Sequence, residues 1–392
     1  MEITHTVNEE ICHQVGQKFQ SLFGGQQLLV RSPGRVNIIG EHTDYNNGFV
    51  LPAAIDKAIY VAVHLRNDDK INLWSEEFHE SVETSLTDMM PDKKVWPNYI
   101  LGVVDQFKKK GYQINGFNLV IGGDVPIGSG LSSSAAVECA TAFALNQLLN
   151  LSLSRKDLAF IAQKAEHEYA GVRVGIMDQF ASLFGKKDHV IKLDCQSLEY
   201  EYVPFKLQGY KILLLNTNVK HSLGSSEYNM RRQQCEKGVA LVKPHYKNVN
   251  SLRDVTLEML ENYVKPVDLL VFKRCKYVID ENNRLLQACE DLKKGNLDAL
   301  GHKMFQSHDG LSKEYEVSCK ELDFLVNQVR NRSGVIGARM MGGGFGGCTI
   351  NIVKDDKIDD LISELKDSYF KNMHLKLTAY IAQIEDGTIA IL

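Results

Sequence analysis

The sequence contains no concentration of basic charge and no long apolar segment. Its 45 Lys and Arg residues against 49 Asp and Glu residues give a formal net charge of −4 at pH 7, which argues against a general nucleic-acid-binding surface. No apolar run approaches the roughly 18 residues that a membrane span requires, so we expect no membrane association. Residues 1–20 are polar and mixed in charge, which predicts that no signal peptide is present.

The eight cysteines lack the spacing of a disulfide framework or of a metal site. None forms a CxxC pair, and several lie within apolar patterns, where free thiols behave as small hydrophobic side chains. This distribution predicts a reducing cytoplasmic location, no structural disulfide and no zinc site.

The length and the composition indicate a two-domain globular protein. At 392 residues the chain is too long for one ordinary core, and its 44% hydrophobic and 24% charged residues are typical of soluble proteins. The first half mixes strand-like and helical patterns, whereas residues 227–331 are mostly helical. We place the domain boundary near Phe205, which divides the chain into residues 1–205 and 206–392.

The segment Pro126–Ala136, PIGSGLSSSAA, lies between a strand-like segment at 117–121 and a helical pattern at 131–150. A glycine-rich turn at a helix start exposes backbone N–H groups at the positive end of the helix dipole, which favours an anion and, in an enzyme, usually a phosphate. A simple serine cap is the alternative. Three consecutive serines exceed what one cap needs, however, and their hydroxyls can also bind phosphate oxygens or a hard cation.

Neither of the two familiar phosphate motifs accounts for this segment. The P-loop pattern fails because Ser129 stands where the lysine belongs, and the dinucleotide pattern GxGxxG fails because Ser133 replaces its third glycine. A GxGxxG pattern does occur at residues 342–347, but the strand-like sequence CTINIV follows it instead of a helix. The sequence therefore argues against a P-loop enzyme and against a nicotinamide-dependent dehydrogenase.

Residues 34–46 form a dense polar cluster that is neither an amphipathic helix nor an alternating strand. The donors and acceptors in this cluster are Arg35, Asn37, Glu41, His42, Thr43, Asp44 and Asn46. Such a set suits a polyhydroxylated ligand such as a sugar. A solvated loop with a salt bridge is the alternative interpretation.

These segments together resemble the galactokinases, a family of the GHMP kinase superfamily. GRVNIIGEHTDYN at 34–46 resembles the galactokinase signature, PIGSGLSSSAA at 126–136 the ATP loop of the superfamily, and GGGFGGC at 342–348 its third motif. Further similar segments are found at 175–180, 221–235 and 316–323. The resemblance implies an α+β, two-domain GHMP kinase fold with an N-terminal domain like a ribosomal-protein domain. The implied C-terminal domain is ferredoxin-like with added helices, the last strand returns to the N-terminal domain, and the active site lies in the cleft between the domains.

The implied reaction is the ATP-dependent phosphorylation of α-D-galactose at its C1 hydroxyl. ATP and Mg²⁺ are the implied cofactors, galactose and ATP are the implied partners, and the protein is expected to be a monomer. Two alternatives stay open. One is a kinase for a related sugar, such as N-acetylgalactosamine or arabinose. The other is a non-catalytic galactose sensor. Such sensors resemble galactokinases that have lost residues within the loop Gly128–Ser134, which we call the serine loop and which is complete here.

The resemblance also assigns the catalytic and metal-binding residues. Asp178 matches the general base and Arg35 the transition-state stabiliser, while Ser134 and Glu166 match the Mg²⁺ ligands. From the residues alone, Asp178 could instead be a helix N-cap and Arg35 part of a structural ion pair. Glu166 lies at the edge of the apolar stripe of a helix predicted at 156–170, where a salt bridge is the alternative.

The remaining site residues follow from the same matching. The implied sugar-binding residues are Glu41, His42, Thr43, Asp44, Gly175 and Tyr228. The implied ATP-binding residues are Gly128, Ser129, Gly130, Leu131, Ser132, Ser133 and Ser134, together with Ser75 and Trp96. Trp96 begins a helix predicted at 96–109 and could equally be a core residue. Glycines at 342–344 allow the backbone to approach a ligand closely, with a tight turn between strands as the alternative.

Overall fold

The computed structural model describes residues 7–219 and 224–391. The first residues of the motif at 221–235 therefore lie outside the described part of the chain. The helices are α1 (Glu9–Phe23), α2 (Trp96–Lys109), α3 (Ser133–Leu148), α4 (Arg155–Ala165), α5 (Met177–Phe184), α6 (Gly224–Val242), α7 (Leu257–Tyr263), α8 (Leu269–Lys293), α9 (Leu297–Lys313), α10 (Lys320–Val329) and α11 (Ile358–Met373).

The strands are distributed over three sheets. The strands are β1 (Leu28–Asn37), β2 (Phe49–Val50), β3 (Pro52–Leu65), β4 (Lys70–Ser75), β5 (Glu80–Ser85), β6 (Phe117–Gly123), β7 (His189–Asp194), β8 (Tyr200–Pro204), β9 (Tyr210–Asn216), β10 (Val335–Met340), β11 (Cys348–Lys354), β12 (Thr378–Ala382) and β13 (Ile389–Ile391). The orders are β13-β1-β3-β6-β4-β5, β10-β11-β9-β12 and β2-β7-β8. The pairing is antiparallel except between β4 and β6. Short β13 pairs with β1 and so connects the end of the chain to the first sheet.

The central strand β3 shows why the first sheet is covered on both faces. Its alternating residues Ala58, Tyr60 and Ala62 pack against Val15 and Phe19 of α1. The residues between them, Ile59, Val61 and Val63, point into the main core, to which α2, α3 and α4 contribute. Because successive side chains of a strand point to opposite faces, a continuous apolar run is what a strand buried on both sides requires.

Several predicted elements agree with the structure and two differ in an informative way. The helix predicted at 96–109 coincides with α2, and the strand that follows the glycines at 342–347 is β11. The helix predicted at 131–150 begins only at Ser133. The helix predicted at 156–170 ends as an α-helix at Ala165 and continues as one π-helical turn, Glu166–Ala170. Such single π-turns are frequently found at functional sites.

None of the helices in residues 7–219 and 224–391 combines the length and the apolarity that crossing a membrane demands. The division of the chain near Phe205, which lies between β8 and β9, stays a prediction.

Candidate active site

The three glycine-containing motifs, far apart in the sequence, meet in space. The backbone N–H of Arg35 donates to the carbonyl of Leu131 at 3.1 Å. A Cβ atom on Gly34 would lie 2.7 Å from that same carbonyl oxygen, so only glycine allows this approach. The third motif also approaches the serine loop. A Cβ on Gly347 would be 3.3 Å from the carbonyl oxygen of Ser129.

The serines of the loop do not cap α3. The N-cap residue, Ser132, has a left-handed backbone (φ 58°) and makes no side-chain capping bond. Its hydroxyl donates instead to Asp178 Oδ2 at 2.5 Å, and the Ser134 hydroxyl donates to Glu166 Oε1 at 3.0 Å. The Ser129 hydroxyl donates to the carbonyl of Pro126. The alternative of a simple serine cap is therefore wrong, because the hydroxyls of Ser132 and Ser134 bind carboxylates of other elements.

Asp178 and Arg35 form a bidentate ion pair at this junction. Arg35 Nε donates to Asp178 Oδ1 at 2.7 Å and Nη2 donates to Oδ2 at 2.9 Å, while Nη1 donates to the carbonyl of Gly130 at 2.5 Å. Arg35 is 4% exposed, so water screens this pair only weakly. The guanidinium thereby connects the signature strand β1, the serine loop and α5.

The position of Asp178 on α5 shows that it is not a helix N-cap, which was the alternative to a catalytic role. The N-cap of α5 is Ile176, so Asp178 lies in the first turn and is not the cap. A carboxylate in the first turn is stabilised by the positive end of the helix dipole. Arg35 thus holds the Asp178 carboxylate at the start of α5, and a carboxylate oxygen in this position can accept a proton from a ligand hydroxyl.

Glu166 is buried at the start of the π-turn and is hydrogen-bonded by neutral groups. Oε1 accepts from Ser134, and Oε2 accepts from Gln179 Nε2 at 2.8 Å. Burial, followed by the charge of Asp178, raises the pKa of the Glu166 carboxyl to about 7. Among the described residues Glu166 has no ion-pair partner, so it is not part of a flank salt bridge. A buried carboxylate with this environment is suited to a cation supplied from outside.

A second buried carboxyl lies behind Glu166. Gln179 Nε2 also donates to Glu138 Oε2 at 3.1 Å, and Glu138 is fully buried in α3. Burial and the charge of Glu166 raise the pKa of Glu138 well above its usual value. Gln179 thus connects the two carboxyl groups and orients Glu166. Sequence reasoning missed Glu138 and Gln179, although Gln179 directly follows Asp178 in the segment GIMDQF at 175–180.

The loop 38–48, which carries most of the polar signature, is held from the C-terminal half of the chain. Glu41 Oε1 accepts from Arg339 Nη2 at 3.1 Å and from the backbone N–H of Gly342 at 2.8 Å. The Tyr277 hydroxyl donates to the carbonyl of Glu41 at 3.1 Å. Glu281, also on α8, accepts from the N–H of Gly40 at 2.9 Å. These contacts determine where the Glu41 carboxylate points, and no local pattern in residues 34–46 predicts them.

Asp44 packs against the backbone of Gly175. A Cβ on Gly175 would lie 1.8 Å from Asp44 Oδ2, which excludes any larger residue without movement of the aspartate. Burial, then the charge of Asp178, raises the pKa of the Asp44 carboxyl to about 7, and the charge of Glu41 adds to this effect. The candidate site therefore concentrates acidic groups, as a pocket that accepts hydrogen bonds from several hydroxyls would.

His42, Thr43 and Tyr228 occupy different positions around this loop. His42 has a left-handed backbone (φ 63°), and its ring lies 5.3 Å from the ring of Tyr228. The Thr43 hydroxyl points away from the acidic groups and bonds the carbonyl of Gly40 at 2.9 Å. A binding role of the Thr43 side chain is therefore not supported by its placement, because its donor is already used within the loop.

A cavity of about 280 Å³ joins these side chains. The residues that line it are Arg35, Glu41, His42, Asp44, Val172, Val174, Met177, Asp178, Tyr228, Gly342, Gly343, Gly344 and Phe345. Six of the eight predicted catalytic and sugar-binding residues line this cavity, namely Arg35, Glu41, His42, Asp44, Asp178 and Tyr228. Thr43 and Gly175 are not part of its lining. The cavity is of a size and polarity that suits one small polyhydroxylated molecule.

A second cavity, of about 240 Å³, is lined by Ser133 and Ser134, which do not line the first. Ser133, Ser134, Ser75 and Trp96 all line it. Trp96 is 8% exposed, and its indole N–H has no hydrogen-bond partner within the described part of the chain. The ring of Phe78 stacks beside it with centroids 6.4 Å apart. Sequence reasoning missed Phe78, since a single aromatic in a turn carries no pattern.

Models of three known protein domains match the chain. The GHMP kinases N terminal domain matches residues 98–186, the galactokinase galactose-binding signature matches residues 17–65, and the GHMP kinases C terminal domain matches residues 288–372.

Curated and solved relatives agree with these matches. A galactokinase of Thermotoga petrophila is 44% identical over 360 residues, covering 92% of this chain and 99% of the relative. A galactokinase of Clostridium acetobutylicum is 42% identical and covers 96% of this chain and 98% of the relative. The crystal structure of Lactococcus lactis galactokinase complexed with galactose superposes with a TM-score of 0.93 at 36% identity, covering 97% of this chain and 99% of that one.

Proposed function

Since the chain belongs to the galactokinases of the GHMP kinase superfamily, we propose that it transfers the γ-phosphoryl group of ATP to the C1 hydroxyl of α-D-galactose. The products are α-D-galactose 1-phosphate and ADP. The observation that carries this proposal is the Arg35–Asp178 ion pair, which faces the acidic cavity and is bonded to the serine loop through Gly130 and Ser132. The pair thus lies between a cavity suited to a sugar and a loop suited to phosphate.

On the sugar side, Asp178 is the proposed base. Its Oδ2 accepts from both Arg35 and Ser132, whereas Oδ1 accepts only from Arg35 among the described residues. A carboxylate oxygen can accept two hydrogen bonds, so Oδ1 keeps a position for the C1 hydroxyl. There Asp178 would orient the hydroxyl and receive its proton as phosphoryl transfer proceeds.

On the nucleotide side, the proposed charge stabilisation comes from the loop and from Arg35. The loop has no lysine, so its positive potential arises from the backbone N–H groups and the start of α3. The Arg35 guanidinium is fixed by three hydrogen bonds and costs no reorganisation when negative charge develops on the transferred group. Positioning and electrostatic stabilisation are what phosphoryl transfer requires most.

Mg²⁺ is the proposed metal cofactor, with Ser134 and Glu166 as its protein ligands. Their side-chain oxygens are 3.0 Å apart, and the Glu166 carboxylate is buried without a cationic partner among the described residues. Two oxygen donors, completed by phosphate oxygens and water, suit this ion. When bound, Mg²⁺ would neutralise charge on the phosphates. Gln179 would keep Glu166 Oε1 directed at Ser134 by holding Oε2.

The adenine of ATP is proposed to lie in the second cavity. The indole of Trp96 and the ring of Phe78 both line this cavity and offer apolar faces to an adenine ring. Ser75 lines the same cavity, and its hydroxyl accepts a hydrogen bond from the backbone N–H of Phe78. Its proposed role is to hold the turn that places Phe78 beside the nucleotide.

The proposed sugar contacts are those of Glu41, His42, Asp44 and Tyr228, all of which line the first cavity. Gly175 contributes through the close packing of Asp44. Carboxylates at two positions can each accept from a pair of neighbouring hydroxyls, which gives a pocket the means to distinguish sugars that differ at one hydroxyl.

An ADP-release assay over a panel of sugars tests the proposed function. We expect the highest kcat/KM with galactose, less with arabinose and N-acetylgalactosamine, and loss of turnover when EDTA removes divalent metal. A higher kcat/KM for another sugar would replace galactose as the substrate. The absence of turnover with every sugar, with galactose still bound in calorimetry, would favour the non-catalytic sensor.

Gly175→Ala is expected to raise the KM for galactose by at least about tenfold, because displacement of a contacting group by an ångström is costly. The new Cβ would occupy the position of Asp44 Oδ2 and force the carboxylate out of the cavity. Steady-state kinetics with galactose and ATP varied separately measure the effect, and the KM for ATP should stay unchanged.

Gly16→Ala is the matched control for this change. A Cβ on Gly16, in α1, would meet its nearest atom at 3.5 Å, an ordinary contact. We expect both KM values of this variant to equal those of the wild type. A wild-type galactose KM in Gly175→Ala would show that Asp44 is not a sugar ligand.

Three further proposals accompany this function. A cytoplasmic location and a monomeric state are proposed from the cysteine distribution and from the resemblance described above. The division into domains of residues 1–205 and 206–392 is proposed as well, with β13 as a C-terminal strand that adds to the first sheet.

A further inference from the structure

A row of buried hydrogen-bonding groups extends from the sugar cavity into the helices of the C-terminal half. His42 Nδ1 is 2.7 Å from the hydroxyl of Tyr45, which is 2.7 Å from the hydroxyl of Tyr315. The Tyr315 hydroxyl is in turn 3.3 Å from Cys235 Sγ. The other ring nitrogen of His42, Nε2, is 3.2 Å from the carbonyl oxygen of Gly343. We call Cys235, Tyr315, Tyr45 and His42 the tyrosine relay.

The direction of every hydrogen bond in the relay follows from one carbonyl group. The Gly343 oxygen can only accept, so Nε2 of His42 carries a proton and donates to it. Burial lowers the pKa of the His42 imidazole to about 3, and the charges of Arg231 and Arg339 act in the same direction. The ring is therefore neutral near pH 7, and Nδ1 has no proton and must accept from Tyr45.

The remaining two bonds follow by the same reasoning. Burial raises the pKa values of Tyr45 and Tyr315 well above their usual range, so each hydroxyl keeps its single proton. Tyr45 uses its proton on His42 and accepts from Tyr315, and Tyr315 uses its proton on Tyr45 and accepts from the thiol of Cys235. Tyr315 and Cys235 are fully buried, so water does not replace these donors.

We propose that Tyr45 and Tyr315 are positioning residues that hold His42 as the neutral Nε2–H tautomer, bonded to the carbonyl of Gly343, and so fix its ring as one wall of the sugar cavity. The backbone of His42 is in the left-handed region (φ 63°), which costs energy for a residue other than glycine and persists only when surrounding contacts maintain it. The relay supplies such contacts.

This inference rests on the proposed function, since it assumes that galactose occupies the cavity that His42 lines. Tyr315 is the residue to change, because it does not line that cavity and its hydroxyl is linked to His42 through Tyr45. Its ring also packs 5.0 Å from the ring of His42, and this contact must be kept. Tyr315→Phe removes one hydroxyl and leaves the ring in place. We expect the KM for galactose to rise about five- to tenfold, as loss of one buried hydrogen bond predicts, with the KM for ATP and kcat changed less than about twofold.

Tyr369→Phe is the matched control. Tyr369 is also fully buried, and its hydroxyl donates to the carbonyl of Thr217 at 2.8 Å, outside the relay. The two variants should lose similar thermal stability, but only Tyr315→Phe should change the KM for galactose. Equal galactose KM values in the two variants would overturn the proposal, because the relay would then have a structural role alone.

A spectroscopic measurement on the wild-type protein decides the question if Tyr315→Phe does not fold. In protein labelled with ¹⁵N-histidine, the His42 resonances, assigned by their loss in His42→Gln, should be those of the neutral Nε2–H tautomer at pH 7. An imidazolium or an Nδ1–H tautomer would overturn the proposal. Failure of the wild-type protein to phosphorylate galactose would instead contradict the proposed function.

Discussion

Asp178→Asn is expected to lower kcat by about 10²- to 10⁴-fold, the usual range for loss of a general base, while galactose still binds. Asparagine keeps the shape of the side chain and one oxygen for Arg35, but it cannot take the proton of the C1 hydroxyl. Steady-state kinetics give kcat, and calorimetric titration with galactose gives the binding constant. The variant also loses an ion pair whose Arg35 side chain is buried. Its thermal transition is therefore measured as well, to separate a loss of stability from a loss of catalysis.

The control for this prediction is Asp309→Asn. Asp309 accepts two hydrogen bonds from Arg330, at 3.0 and 3.3 Å, so the same change breaks a bidentate arginine pair away from both cavities. Its kcat should remain within about twofold of the wild type, as expected for an exposed pair. If Asp178→Asn retained a kcat within about tenfold of the wild type, Asp178 would be only an anchor for Arg35.

Arg35→Lys is expected to lower kcat by about 10²- to 10³-fold, as is typical when a preorganised charge-stabilising donor is removed. Lysine keeps the positive charge but has no planar fork. It cannot bind both oxygens of Asp178 and the carbonyl of Gly130 together, as the guanidinium does. The KM values for galactose and ATP should change much less than kcat, since the guanidinium acts mainly where charge develops in the transition state.

Arg330→Lys is the matched control, because Arg330 forms the corresponding pair with Asp309. The double variant Asp178→Asn/Arg35→Lys adds a second test. If the two residues act as one unit, the kcat of the double variant should be close to that of the less active single variant. If they act independently, the two fold-reductions in kcat should multiply. A kcat for Arg35→Lys equal to that of the wild type would mean that charge alone, without the fork, suffices.

The family and the activity were predictable because their signals are local. The motifs at 34–46, 126–136 and 342–348 each place several functional groups within a dozen residues, and the family models and relatives confirm both the α+β GHMP kinase fold and the galactokinase function. The absence of the P-loop lysine is likewise visible within one short segment. In the structure, Arg35 of β1 donates to the carbonyl of Gly130 in that segment.

Other features depended on where distant segments meet. The sequence predicted one continuous helix over 156–170, but the helix changes to a π-turn at Glu166, where Ser134 and Gln179 both bind the carboxylate. The sequence predicts that the hydroxyls of Ser132 and Ser134 bind phosphate oxygens or a cation. In the structure, each hydroxyl also binds a carboxylate of another element. No periodicity in the sequence predicts these two serine contacts, because they join residues 46 and 32 positions apart.

The amino-acid sequence indicates which chemical groups are present and which local turns can approach a phosphate, since composition and glycine placement act over a few residues. The partner of each group depends on how the folded chain brings distant segments together. Glu41 is oriented by Arg339 and Gly342, about 300 residues away, and the tautomer of His42 follows from its bonds to the carbonyl of Gly343 and the hydroxyl of Tyr45. Burial at these contacts, which depends on the packing of the whole chain, shifts the pKa values of Asp44 and Glu166 and so sets the chemistry of the site.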